Sequence, residues 1–216
     1  MRFVITAGPT REPIDPIRYI SNRSSGKMGY AIAEAALAGG HDVTLISGPV
    51  HLEPPRHAHR LCVTTSDEMF DAVHQHLNGC DILVMCAAVA DYKPAVIAAR
   101  KIKKRDEKLT LELVPTRDIL GSLPQHRQFF VVGFAAETDE LEKNADKKLR
   151  DKNCDIVVAN DVSRADAGME SDENAVTVFF RGGKTKKNSR APKKIIAREL
   201  VEIFLNAREK RLTIKT

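Results

Sequence analysis

Short apolar stretches alternate along this chain with stretches of helical periodicity, and that alternation leaves few folds open. Arg2–Ala7, Asp42–Ser47, Leu61–Thr64, Asp81–Ala88, Leu109–Val114, Phe129–Ala135 and Asp155–Ala159 read as strands. Between them, Lys27–Ala38 reads as a helix with Met28, Ile32, Ala35 and Ala36 on one face, stopped by Gly39-Gly40. Thr65-Ser66-Asp67-Glu68 has the capping-box pattern, and Met69, Val73 and Leu77 follow it at helical spacing. Arg117–Leu123 reads as a short helix, and Glu140–Lys152 as a longer one with Leu141, Ala145 and Leu149 on one face. Asp81–Ala88 is almost unbroken apolar sequence, which suits a parallel strand covered on both sides.

The pattern predicts an α/β fold: a Rossmann-like, doubly wound, mostly parallel sheet. The rhythm breaks after residue 160. Asn174–Arg181, Gly182-Gly183 and Lys184–Asn188 predict a C-terminal β-hairpin extension, and Ala191–Leu205 a closing helix. One domain, 1–216, is expected, with 161–189 protruding as a dimerisation segment. A chain of 216 residues can bury a core without disulfides or metals. Cys62, Cys80, Cys86 and Cys154 have no metal-ligand spacing and read as buried free thiols. No apolar run is long enough to span a bilayer, and the first strand starts too early to leave room for a signal peptide. A cytoplasmic location without a membrane partner is expected.

The net charge of +5 is concentrated. Arg100–Arg105 holds five cations in six residues, and Lys184, Lys186, Lys187, Arg190, Lys193 and Lys194 form a second cluster. Polyanionic ligands follow from this, either nucleic acid or a nucleoside triphosphate. No aromatic residue interleaves the first run, which disfavours a single-strand stacking platform. As a lid, the run would bring Lys101 onto a phosphate.

Ser21–Gly29 lies between the first strand and first helix, where open α/β sheets bind ligands. Gly26-Lys27 invites a P-loop reading, but Ser21 stands at the first glycine position and Met28 at the Ser/Thr position. Gly8 has no glycines at dinucleotide-fingerprint offsets, so an NAD(P)- or flavin-binding oxidoreductase is the weaker alternative. Ser24, Ser25, Gly26 and Lys27 suit a phosphate, although the serines also suit helix caps. Asn22 reads as a turn former or as an amide that hydrogen-bonds a reacting carbonyl. Asp91 reads as a strand-ending aspartate, a ribose acceptor or a metal ligand. Lys148 and Lys152 stand four apart on one helix, an unfavourable pairing that an anionic ligand would explain.

Taken in order, Gly8–Thr10, Glu12–Asp15, Ser21–Gly29, Ala87–Tyr92, Lys101–Lys104, Asp118–Leu120, Gly133–Thr138, Lys148 with Lys152, and Asp155–Ser163 resemble the phosphopantothenate–cysteine ligase family. The resemblance implies a bacterial-type, CTP-dependent enzyme of coenzyme A biosynthesis. Such an enzyme joins 4′-phosphopantothenate to cysteine through an acyl-cytidylate, as a homodimer, with Mg²⁺. By the same resemblance Asn22 and Lys101 are catalytic. Met85, Cys86, Ala87, Asp91, Lys101, Arg117, Asp118, Ile119, Leu120, Phe134, Lys148 and Lys152 bind the nucleotide. Many relatives carry an N-terminal flavin-dependent decarboxylase. This chain begins at the ligase, so the expectation is no FMN and no nucleic-acid partner, with a separate decarboxylase as a partner left open. Arg117 stands where the family pattern has proline.

Overall fold

The computed structural model describes residues 1–104, 106, 108–137, 140–161 and 171–213. In chain order its elements begin with β1 (Arg2–Ala7), β2 (Arg11–Asp15), β3 (Arg18–Ser21), α1 (Lys27–Ala38), β4 (Asp42–Ser47), β5 (His59–Cys62), α2 (Ser66–Gln75) and β6 (Ile82–Met85). They continue with β7 (Tyr92–Pro94), β8 (Leu113–Pro115), β9 (Phe130–Glu137), α3 (Leu141–Asp151), β10 (Ile156–Asp161), β11 (Glu173–Phe180), β12 (Thr185–Pro192) and α4 (Lys193–Thr213).

Eight strands form the main sheet in the order β12-β11-β10-β9-β6-β1-β4-β5. The six from β10 to β5 are parallel, and β11 and β12 continue the sheet antiparallel. Counting only the parallel strands in chain order, the layout reads 3-2-1-4-5-6 from the β5 edge, the doubly wound arrangement. The order reverses between β1 and β6, so a crevice opens beyond their carboxyl ends.

Alternation along the strands feeds two cores. Phe3, Ile5, Ile82, Val84, Val132 and Ile156 pack under α1 and α4 with Ile32, Ile196 and Phe204. Val4, Leu83, Val131 and Val157 turn the other way, onto Met69 and Val73 of α2 and Ala145 and Leu149 of α3. Each fully buried aliphatic side chain contributes roughly 1.5–3 kcal/mol, whereas an exposed ion pair contributes about 0–1 kcal/mol. The two apolar layers therefore dominate the stability of the fold. At the foot of the sheet, Arg211 bonds the Asp155 carboxylate at 2.8 Å, and Arg208 bonds Asp81. Both contacts fasten α4 at the end of the sheet remote from the crevice.

Several boundaries differ from the sequence reading. The third strand is His59–Cys62, set by its parallel register with Thr44–Ser47, not Leu61–Thr64. Arg117–Leu123 is a turn closed by Ser122 N–H to the Asp118 carbonyl, not a helix. Leu109–Val114 contributes only β8, which pairs with β7 in a separate ribbon. The chain between β1 and α1 forms an additional hairpin, β2–β3. The C-terminal hairpin is present, and its described part lies in the main sheet as an edge; residues 162–170 of the expected protrusion lie outside the described residues. Cys80 and Cys154 are buried and Cys86 half-buried, but Cys62 is exposed.

Candidate functional site

Beyond the sheet's carboxyl end, the chain leaving β1 is laced to the chain leaving β6. Ala88 N–H donates to the Gly8 carbonyl (2.9 Å) and Thr10 N–H to the Ala88 carbonyl (3.2 Å). The buried hydroxyls of Thr6 and Thr10 accept from Ala87 N–H (3.1 Å) and Ala90 N–H (3.0 Å). Thr116 adds a third strand of contact, its hydroxyl donating to the Ala90 carbonyl at 2.7 Å. These bonds fix 86–91 as one wall of a cavity of about 580 Å³.

The opposite wall is the start of α1. Gly26, at φ 76, takes a left-handed turn into the helix. A Cβ on Gly26 would lie 3.3 Å from the Gly8 backbone, and one on Gly29 would lie 2.6 Å from the Ala7 Cβ. The glycine logic of a phosphate-binding turn is thus assembled in space from Gly8, Gly26 and Gly29. In sequence it is invisible, because the β2–β3 hairpin separates Gly8 from the other two. Ser24 and Ser25 are not the caps of this helix. Gly26 is the N-cap and no side chain caps it among the described residues; Ser24 Oγ instead accepts from Gly26 N–H at 3.4 Å. The first-turn N–H groups, with no acidic residue nearby in the helix, favour an anion.

Asn22 enters the cavity with its Nδ2 donating to the Ala88 and Val89 carbonyls at 3.1 and 3.3 Å. Two carbonyl acceptors on one side fix the orientation of the amide. Lys148, in the last turn of α3, and Lys152, its C-cap, both reach the cavity. Lys148 Nζ donates to the Phe134 carbonyl at 2.5 Å, and Lys152 Nζ pairs with Asp118 at 2.5 Å. The helix C-terminus and these partners relieve the like-charge pairing seen in the sequence. Burial raises the Asp118 pKa, but the Lys152 hydrogen bond and Gly121 N–H outweigh it and leave the carboxyl below its ordinary value. Arg117 lies over the Phe70 ring at 3.5 Å and pairs with Asp71 at 2.7 Å. Burial pushes the Cys86 thiol up to about 12, so it lines the wall as a thiol and not as a nucleophile.

The cavity gathers Asn22, Ser24, Gly26, Lys27, Met85, Cys86, Ala87, Asp91, Arg117, Asp118, Ile119, Leu120, Phe134, Lys148 and Lys152. Ser25 and Lys101 do not line it. Lys101 is exposed, next to Ile102, whose N–H is held at 3.1 Å by Asp15 and whose carbonyl accepts from Arg18 at 2.9 Å. Sequence reasoning missed Thr116, Asn160, Asn174 and Lys193 in the wall. Asn174 is buried beside a register shift between β11 and β12; the bulge was the signal, and it is not readable from residue types. No group of three or more His, Cys, Asp or Glu side chains stands ready for a metal among the described residues. Mg²⁺ needs only one or two carboxylates when phosphates supply other ligands, and the exposed Asp91 in this wall fits that demand. Nor is any helix of the described residues long and apolar enough to cross a membrane.

Comparison with known proteins agrees with this fold. The chain is 51% identical over 187 residues to the coenzyme A biosynthesis bifunctional protein CoaBC of Vibrio cholerae, covering 84% of this chain and 47% of that protein. It is 49% identical over 189 residues to CoaBC of Escherichia coli K12, covering 85% and 46%. The chain thus spans about half the length of the curated relatives it matches. A crystal structure of the C-terminal domain of CoaBC superposes with a TM-score of 0.80 at 42% identity, covering 93% of this chain and 92% of that one. The model of the DNA/pantothenate metabolism flavoprotein C-terminal domain matches residues 1–207, and the chain belongs to that family.

Proposed function

We propose that this chain is a phosphopantothenate–cysteine ligase that activates its acid with CTP. The observation that carries the reading is the convergence of Asn22, Lys148, Lys152 and the uncapped start of α1 on one crevice at the switch point, in a member of this family. A carboxylate oxygen of 4′-phosphopantothenate attacks the α-phosphorus of CTP. A P–O bond forms, the bond to the β-phosphate breaks, and pyrophosphate leaves. The amine of cysteine then attacks the acyl carbon, and CMP departs as the amide forms.

The residues suit those steps. Lys148 and Lys152 offer charge to the nucleotide phosphates, and the start of α1 offers a favourable end of the helix dipole to a further phosphate. Mg²⁺, held by Asp91 and the phosphates, would take up charge developing on the leaving pyrophosphate. Both amide protons of Asn22 are engaged by carbonyls, so its oxygen is the atom available to orient the acyl-cytidylate or the incoming amine. Lys101 serves as a lid residue: the Asp15–Ile102 anchor gives its loop a fixed base from which to close. FMN has no role in this reading. The curated relatives are named bifunctional, which fits a decarboxylase as a partner, fused or separate.

A homodimer belongs to the proposal, through 161–189 or through a second surface. The outer strand β12 carries Lys186, Lys187 and Arg190, charges that discourage edge pairing. The exposed apolar side chains concentrate instead on the β2–β3 hairpin (Ile17 in its turn, Tyr19), on the β7–β8 ribbon (Tyr92, Leu113) and just after β7 (Val96, Ile97). A monomer rarely leaves such a surface uncovered. Asn22→Ala with CTP, phosphopantothenate and cysteine tests the catalytic assignment. The acyl-cytidylate accumulates by mass spectrometry if it holds, and wild-type turnover contradicts it. Lys101→Ala should abolish pyrophosphate release.

A further inference from the structure

The turn at 118–122 carries Asp118, Ile119 and Leu120 into the crevice wall. Within it, Ser122 N–H donates to the Asp118 carbonyl (3.1 Å) and Gly121 N–H to Asp118 Oδ1 (2.9 Å). Outside, the turn leans on α2. Phe70 and His74 lie one turn apart on that helix, their rings stacked at 4.1 Å and 16°. Arg117 lies over the Phe70 ring at 3.5 Å. At these spacings one face of Phe70 cannot hold both partners, so the ring is sandwiched between guanidinium and imidazole. His74 Nε2 stands 3.1 Å from Ser122 Oγ, and that hydroxyl reaches the Ile119 carbonyl at 2.8 Å. A line of contacts therefore runs from the α2 backbone, through His74 and Ser122, to a residue of the crevice wall.

The protons on that line can be counted. The Phe70 carbonyl, 2.8 Å from His74 Nδ1, only accepts, so Nδ1 carries a proton. The Ile119 carbonyl likewise takes the Ser122 proton, which leaves Ser122 only lone pairs to offer Nε2. A neutral imidazole meets them with a lone pair of its own, and the link is open. An imidazolium donates, and the link closes. The face of Phe70 also favours a cation above it.

The charged side chains around His74 are engaged elsewhere. On α2, Asp67 pairs with Lys93, Asp71 with Arg117, and Glu68 accepts from the Thr64 and Thr65 N–H groups. From the turn, Asp118 pairs with Lys152 of α3. At the far end of α2, Arg2 donates to the His76 carbonyl, and His76 Nδ1 bonds the Ala72 carbonyl. The strands beneath, β1 and β4, present Val4 and Ile46. Among the described residues no carboxylate pairs with His74, so the link depends on the proton and not on a standing ion pair.

Resting on the ligase reading above, we propose that His74 is a positioning residue: in its protonated form it holds the 118–122 turn, through Ser122, in the shape that receives the nucleotide. No covalent bond changes. The imidazole does not line the crevice and acts on the ligand only through the turn.

The KM for CTP, measured in the wild type and in Ser122→Ala at about pH 6 and about pH 8, reads this brace across the range where imidazole changes charge. Taking the ratio of the two proteins cancels the titration of CTP itself. Ser122→Ala should raise the KM for CTP roughly three- to ten-fold at the lower pH, the worth of one hydrogen bond, and about two-fold or less at the higher. The KM for cysteine should not change. Ser122→Thr keeps the hydroxyl and should behave as wild type. His74→Phe keeps the stack without the donor and should match Ser122→Ala, with the double variant no worse than either. A ratio independent of pH, or additive effects in the double variant, overturns the proposal. Ser122 is exposed, so its variants keep the test open even where His74→Phe fails to fold. The ligase reading fails separately, through hydrogen exchange of the Gly121 N–H. Faster exchange in Ser122→Ala at the lower pH, in a protein that releases no pyrophosphate from any triphosphate, would keep the brace and remove the reaction. Exchange unchanged by the substitution would remove the brace.

Discussion

Asp15 shows how a residue that looks functional in sequence acts through architecture. Its buried carboxylate accepts from Ile17 N–H, Arg18 N–H, the Arg18 guanidinium and Ile102 N–H. The Arg18 hydrogen bond leads these in holding its pKa well below the usual carboxylate range, against the opposing effect of burial. With the folded value depressed, the unfolded chain binds the extra proton first. The stabilisation is therefore complete above the ordinary aspartate value of about 4 and is lost as pH falls through the folded value. Asp15→Asn should lower the melting temperature at pH 7 and flatten its decline with acid; an unchanged acid limb would contradict the assignment. Gly29→Ala sets two effects against each other. Alanine improves helix propensity by up to about 1 kcal/mol, while overpacking costs about 1–3 kcal/mol. With the new Cβ 2.6 Å from the Ala7 Cβ, the clash wins, and the melting temperature should fall by several degrees. Residue-level legibility had a clear limit. Asn22, Lys148 and Lys152 were readable because their types and spacing invite a chemical reason. Lys193 was not, because in sequence it is one lysine of a basic cluster and only burial separates it from the rest.

Among the elements, α2 has the capping box that its sequence announces. Thr65 accepts from Glu68 N–H at 3.2 Å, and Glu68 reaches back to Thr65 N–H at 3.2 Å. Glu12 adds a further acceptor for Ser66 N–H at 2.9 Å, which is why that carboxylate is buried. Thr65→Ala should cost about 1 kcal/mol, a fall of roughly 2–4 °C in melting temperature for a chain of this size. Pyrophosphate release should be unchanged, since no residue of α2 lines the cavity. Central strands and amphipathic helices were legible because burial on both faces demands unbroken apolar runs. The two ribbons were not: β2 contains Pro13, β3 is largely exposed, and β7 and β8 are three residues each. They are held by Asp15 and by pairing with one another, not by apolar periodicity. The turn at 118–122 was misread because Asp118 turns its carboxylate back onto Gly121 N–H at 2.9 Å, competing with helix growth.

Across the whole molecule, the two ends of the sheet have different tasks. Arginine–aspartate contacts and α4 fasten the foot, while glycines, small residues and lysines occupy the carboxyl end. The exposed apolar surface on both ribbons borders the anchored base of the Lys101 loop, so the proposed association would be coupled to the proposed closure. Ile17→Asp combined with Val96→Asp should shift the protein toward monomer by light scattering and reduce turnover more than stability. A dimer undisturbed by both changes would place the contact elsewhere. In the proposed reaction one crevice transfers a cytidylyl group to a carboxylate before the amine attacks. The decisive measurement is pyrophosphate release from CTP in rapid-mixing experiments, with phosphopantothenate present and cysteine withheld. A burst matching the number of sites should appear, then steady release once cysteine is added. No release from any triphosphate, or release indifferent to phosphopantothenate, would contradict the proposed reaction.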